Sequence, residues 1–215
     1  RAIAYDDERV TVTTDARRVR ARDVIVSIPP ALASRIAYDP PLPPLRDQLT
    51  QKMPAGSVIK CNVVYDAPFW RAEGLSGQAA GDHFPIVFTF DNTPPSGSPG
   101  VLVCFLEGAE ARRHARQHPK ERRDAVVASL RAYFGPKAGD PIDFVELDWS
   151  AEEWTRGCYG AHLAPGTWTQ FGTALREPVG RIHWAGTETA TLWAGYMDGA
   201  LTSGERAAAE VLAAE

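Results

Sequence analysis

The chain has 215 residues, 44% of them hydrophobic and 23% charged, with a net charge of −4, the make-up of an ordinary globular protein with room for one large domain or two small ones. That charge excludes an electrostatic drive toward nucleic acid, and no run approaches the ~18 apolar residues a membrane span needs. Three cysteines, Cys61, Cys104 and Cys158, are an odd number without metal-type spacing, which suits a reducing compartment, and a cytoplasmic location is the expectation.

The chain opens on Arg1-Ala2-Ile3-Ala4 with neither Met nor a signal peptide, so the expectation is part of a longer protein. Residues 9–13 alternate as a strand does, and residues 24–28 form an apolar run ended by Pro29-Pro30. Both read as strands at the edge of a domain whose beginning lies before Arg1. Residues 31–36 suit a short helix. The stretch Asp39-Pro40-Pro41-Leu42-Pro43-Pro44-Leu45 is too proline-dense for helix or central strand. A rigid connector between two domains fits it better than an SH3-type ligand, because no basic residue flanks its start.

Residues 58–65 make the strongest strand pattern, with Lys60 in its middle. Burying an ammonium is costly unless it is paired or loses its proton, so Lys60 marks either a functional position or a solvated strand face shared with Asn62. Residues 84–90 and 101–106 are further strands joined through a turn-rich segment, which suggests a mainly antiparallel sheet. Residues 110–134 read as two helical pieces, the second opened by Pro119 and closed by Gly135, with Val126, Val127, Leu130 and Phe134 as its apolar stripe. The arginines and lysines around them read as a solvated face. His114 and His118 share a helical face, but no carboxylate or cysteine joins them at metal-ligand spacing, and no metal site is read there.

Residues 144–149 form another strand. Aromatic residues then crowd the segment around Arg156-Gly157-Cys158-Tyr159-Gly160, as core or as the wall of an apolar site. Residues 182–185 suit a short buried strand; Gly186, Thr187 and Glu188 a sharp turn; and a helix runs from about Gly195 to the C-terminus. Gly195, Gly199, Ser203 and Ala207 fall four residues apart on one nearly bare face. That face serves either tight packing or, with the N–H groups of the turn and helix start, a cofactor.

Several segments resemble the flavin-containing monoamine oxidases: Val-Ser-Ile-Pro-Pro at 26–30, Pro-Pro-Leu-Pro at 40–43, Gly-Ser-Val-Ile-Lys-Cys at 56–61, Pro-Phe-Trp-Arg at 68–71, Gly-Cys-Tyr at 157–159, and Trp-Ala-Gly-Thr-Glu-Thr-Ala with Ala-Gly-Tyr-Met-Asp-Gly-Ala. The resemblance covers essentially the whole chain but only the later part of such an enzyme, for no Gly-x-Gly-x-x-Gly occurs here. It implies an α/β fold: an α+β substrate domain with a mainly antiparallel sheet at residues 31–149, and parts of a Rossmann-like FAD-binding domain at residues 1–30 and 150–215.

The resemblance also implies roles. Cys158 matches the cysteine that bonds the flavin ring through a thioether, and Tyr159 and Tyr196 match the aromatic pair flanking the amine. Lys60 matches the lysine that holds a water against the reactive flavin nitrogen, with Trp149 packed beside it. Gly186, Thr187, Glu188 and Met197 fall where the family touches the flavin, and Phe88 and Phe105 on the cavity wall. The implied reaction turns a primary amine and dioxygen into aldehyde, ammonia and hydrogen peroxide. A soluble bacterial enzyme without a membrane anchor is expected, with no nucleic-acid partner, completed by the missing N-terminal portion of the same protein and assembling as a homodimer. Polyamine oxidase, L-amino-acid oxidase and a non-catalytic binding fragment, its small-residue helix face exposed, are the rival readings.

Overall fold

The computed structural model describes residues 1–213 and divides into two units, one made of residues 1–55 with the chain from Trp154 onward, the other of residues 56–153. The first 55 residues form β1 (Ala2–Tyr5), β2 (Val10–Thr13), β3 (Arg18–Ala21), β4 (Val24–Val26), α1 (Pro30–Ala33), β5 (Ala37–Asp39) and α2 (Pro44–Gln51). The middle carries β6 (Val58–Tyr65), α3 (Phe69–Ala72), β7 (Ala79–Ala80), β8 (Phe88–Asp91), β9 (Gly100–Glu107), α4 (Gly108–His114), α5 (Pro119–Phe134) and β10 (Asp143–Asp148). The last part adds α6 (Thr167–Phe171), β11 (Ile182–Trp184) and α7 (Met197–Ala213). Residues 214 and 215, where the expected last helix would finish, lie outside the described residues.

In the middle unit the sheet order is β10-β6-β9-β8-β7, with antiparallel neighbours throughout. Alternation decides which face is covered. Ile59, Cys61, Val63 and Tyr65 of β6 meet Leu102, Cys104 and Leu106 of β9 and Val126, Leu130 and Phe134 of α5 in one buried cluster. Each large apolar side chain so buried contributes about 1.5–3 kcal/mol. Cys61 and Cys104 face each other in register inside it; burial, with Glu146 nearby, pushes the Cys61 thiol up to about 12. Both are therefore packing groups rather than reactive thiols.

The helices start and stop as their chemistry requires. His118 caps α5 by accepting the Lys120 N–H at 3.2 Å while Glu121 receives the His118 N–H at 3.2 Å, and Gly135 follows its last residue. Arg122 departs from the solvated face expected for the basic cluster. It is mostly buried, pairs with Glu146 and donates to His114 O at 2.9 Å. The strand expected over residues 84–90 begins only at Phe88, since Pro85 has no N–H to give a ladder.

Asp91 ends β8. It accepts from Arg71 Nε at 2.7 Å, Trp70 Nε1 at 2.9 Å and the Thr93 N–H at 2.9 Å. Burial pushes its carboxyl up, but these bonds outweigh burial and hold it well below the ordinary 3.8. A depressed folded pKa stabilises fully above the unfolded value and loses that stabilisation as pH falls. The stability gap between wild type and Asp91→Asn should therefore shrink in urea titrations as pH is lowered from about 5 toward about 2. A gap constant over that range would remove Asp91 from the account.

The other unit corrects the expected domain boundary. Residues 31–55 belong with the N- and C-terminal parts rather than with the substrate domain, and the proline-rich stretch is no connector between domains. β5 runs parallel to β1 in the sheet β3-β2-β1-β5, and Pro44 opens α2 as a first-turn proline. Leu49 and Met53 then pack against Phe171, Ala174 and Leu175. Arg46, 3% exposed, lies 3.6 Å over the Trp184 ring and donates Nη1 to Ala174 O at 2.9 Å and Leu175 O at 2.8 Å. Burial lowers its pKa to about 10, so it stays charged at neutral pH.

Candidate active site

In the middle unit, register builds the face opposite the helices. Leu147, Lys60, Phe105 and Phe88 form one row across four strands, and Val145, Asn62, Val103 and Phe90 form the next. Lys60 Nζ stands 5.9 Å from the Phe105 ring centre, and Phe90 meets Phe105 edge-on at 6.2 Å. Phe88 and Phe90 remain 41% and 43% exposed. The Trp149 N–H donates to Val58 O at 3.1 Å, which extends β10 and continues the parity of Leu147. The structure thus brings Lys60, Phe88, Phe105 and Trp149 onto one open, largely apolar face. Carboxylates reach that face only in its outer rows, Glu107 opposite Val58 and Asp143 opposite Val64. Phe90 and Val103 escaped the sequence reading, although simple alternation from Phe88 and Phe105 marks both.

In the other unit, β11 is buried at every position and runs parallel to β4. Gly186 follows Ala185 with a φ of 100°, and a Cβ there would come 3.2 Å from Ser27 O, so the turn requires glycine. Thr187 Oγ1 accepts the Gly195 N–H at 2.7 Å and donates to Tyr196 O at 2.9 Å, tying the turn to the residues that lead into α7. The N–H groups of Thr187 and Glu188 take no partner among the described residues, as expected of the first residues of a helical turn. Tyr196 and Met197 stand beside this turn at 64% and 86% exposure, and the Trp193 ring meets Tyr196 edge-on at 5.7 Å. Gly186, Thr187, Glu188, Tyr196 and Met197 are thereby one local group.

The small-residue helix face is neither bare nor exposed. α7 starts at Met197, so Gly195 precedes it; Gly199, Ser203 and Ala207 point inward and are buried. A Cβ at Gly199 would lie 2.2 Å from Trp193 O, and Ser203 Oγ accepts the Gly186 N–H at 3.1 Å. Packing against its own unit uses this face, which leaves the turn and the first residues of α7 as the part open to a ligand.

Cys158 and Tyr159 lie on the irregular segment before α6, joined by a cis peptide. The segment is anchored where Ala161 bridges Ala55 and the His162 N–H donates to Pro54 O at 2.8 Å. Cys158 is half-buried and Tyr159 is 55% exposed. His114 is buried beside Glu110 and Arg113 while His118 caps a helix. No group of three His, Cys, Asp or Glu side chains suited to a metal occurs among the described residues, and no helix there is long and apolar enough to cross a membrane.

An open apolar sheet face around a lysine, and a strand-turn-helix presenting unpartnered N–H groups, are parts of a flavin-dependent oxidoreductase. The chain belongs to the family described as flavin containing amine oxidoreductase, whose model matches residues 1–212. It is 45% identical over 210 residues to an L-amino acid dehydrogenase of Synechocystis sp., covering 98% of this chain and 45% of that protein. Against the flavin-containing amine oxidase B of Cavia porcellus it is 43% identical over 219 residues, covering 99% and 42%. A solved structure of wild-type putrescine oxidase bound to putrescine matches with a TM-score of 0.95 at 40% identity, over 99% of this chain and 48% of that one. The chain thus spans about half the length of the curated relatives it matches.

Proposed function

We propose that the whole protein is an FAD-dependent oxidase of primary monoamines, forming an imine that water splits into aldehyde and ammonia while dioxygen becomes hydrogen peroxide. The observation that carries this reading is the pair of rows around Lys60, six of whose eight side chains are aliphatic or aromatic and none of which is a carboxylate. The turn suits the flavin: the N–H groups of Thr187 and Glu188, without partners among the described residues, are donors for its polar edge, and exposed Met197 offers apolar surface for its ring. When bound, the flavin supplies the two-electron chemistry.

The side chains of this chain orient, desolvate and hold protons. Under this reading Tyr159 and Tyr196 flank a neutral amine with their phenol faces, which confines a slim substrate in a reactive orientation. Lys60 holds a water for the oxidative half of the cycle, and Trp149 covers its flank. Phe88 and Phe105, with Phe90, line the wall. Cys158 bonds the flavin as a thioether; acid precipitation should then leave the yellow colour in the pellet for wild type and release it to the supernatant for Cys158→Ala. Colour released from wild type would remove the covalent bond and keep the oxidase. The amine, dioxygen and the remainder of the same protein are its partners, and the cytoplasm its compartment.

A diamine or an amino acid carries a second charge, and the rows hold no carboxylate for a second ammonium and no cation but Lys60 for a carboxylate. Burying an unpaired charge costs several kcal/mol, so kcat/KM for benzylamine should exceed that for putrescine by about 10²-fold or more. Equal values, or a preference for putrescine or for an L-amino acid, would overturn the monoamine reading.

A further inference from the structure

We propose that Arg206 and Arg176 are positioning residues for the flavin-facing turn, and that Arg206 is itself set by the line Asp23, His183, Glu210. This rests on the reading that residues 186–190 present donors to the flavin.

The turn is too short to hold its own shape. Its internal backbone bonds are those from the Thr189 N–H to Gly186 O at 2.9 Å and from the Ala190 N–H to Thr187 O at 3.2 Å, and an isolated 3₁₀ turn of that size is weak. Two guanidinium groups fix its flanks. Arg206, reaching back from α7, donates Nη2 to Trp184 O at 2.6 Å and to Thr189 Oγ1 at 3.1 Å. Arg176, which follows the short 3₁₀ turn after α6, donates Nε to Thr189 O at 2.7 Å and Nη2 to Ala190 O at 2.9 Å. Ser203 takes the Gly186 N–H. Polar groups on both sides of Thr187 and Glu188 are therefore held, while their own N–H groups take no partner among the described residues.

Arg206 is aimed in turn. Its Nη1 pairs with Glu210 Oε1 one helical turn on, and the other oxygen of Glu210 lies 3.1 Å from His183 Nδ1. His183 Nε2 stands 3.6 Å from Asp23, which also faces Arg181 at 3.5 Å. His183 and Asp23 are nearly fully buried, so the imidazole and the Asp23 carboxylate have few alternative partners. The buried face of α7 is supplied by other residues, Gly199, Ser203 and Ala207. A planar fork that reaches two acceptors and a carboxylate together is a geometry that lysine, a point charge, does not reproduce.

The test uses the whole flavin-loaded protein, with Arg206→Lys, Glu210→Gln, and Leu49→Ala as a control in a separate apolar cluster of the same unit. The visible circular dichroism of the flavin should change in both polar variants, and anaerobic reduction by benzylamine should slow about 10-fold or more. Leu49→Ala should lower the unfolding midpoint and leave the visible spectrum unchanged. If Arg206→Lys does not fold, Glu210→Gln decides alone. Unchanged visible spectra and reduction rates in the polar variants would overturn the inference and leave the oxidase reading intact; the same would follow if all three variants changed together in step with lost stability. Wild-type protein without flavin would overturn the oxidase reading and this inference with it.

Discussion

Lys60→Met in the flavin-loaded enzyme is expected to leave reduction by amine close to wild type and to slow reoxidation by dioxygen about 10²-fold or more. Dioxygen acquires negative charge as it is reduced, and a fixed ammonium with its water stabilises that charge most where the surroundings are apolar. Lys60 has such surroundings, flanked in its row by Leu147 and Phe105 with Phe88 beyond. Methionine keeps the length and apolar stem of the side chain and removes the charge. The electron pair taken from the amine would be spread over the flavin ring, whereas on dioxygen the charge is concentrated on a small molecule, so the second half-reaction should depend more on Lys60 and the two should separate. Stopped-flow rates of anaerobic reduction and of reoxidation measure this split; an equal fall in both, or in neither, would contradict the role.

Arg46→Met should destabilise the protein by about 2–4 kcal/mol. The substitution removes a costly buried charge, which works in the variant's favour. Against that, it strips the donors from Ala174 O and Leu175 O, each lost bond costing about 1–3 kcal/mol when the acceptor is left buried and unpaired. It also ends the stacking over Trp184 at 3.6 Å, worth about 2 kcal/mol when desolvated. Two carbonyls and one stack outweigh the relief of the charge, even though the buried Arg46 Nε makes no hydrogen bond. Urea denaturation measures the difference. A loss under about 0.5 kcal/mol would mean that methionine packs as well as the guanidinium does.

The regular parts of this fold were legible in the residues themselves. Period-two alternation marks β6 at its observed bounds, Val58–Tyr65, and Pro119 with Gly135 bounds α5. The roles of Lys60, Cys158 and the two tyrosines came from resemblance, because a lysine in a strand reads equally as solvated or functional until its row is known. What stayed hidden depends on partners distant in sequence. Arg46 lies about 130 positions from the carbonyls it serves, and nothing local marks it as buried. The proline-rich stretch reads as a connector by composition, yet Tyr38 and Leu49 find partners in β1 and after α6. The four-residue spacing of small residues in α7 was visible, but whether a cofactor or the protein's own backbone fills that space is decided at Gly199, where Trp193 O leaves room for hydrogen alone.

The most direct measurement is the visible absorbance of the purified whole protein, recorded without air before and after benzylamine is added. The expected result is a flavin spectrum that bleaches on addition of the amine and returns when air is admitted, with hydrogen peroxide formed in equal amount. A protein without flavin, or a flavin that benzylamine does not reduce, would contradict it.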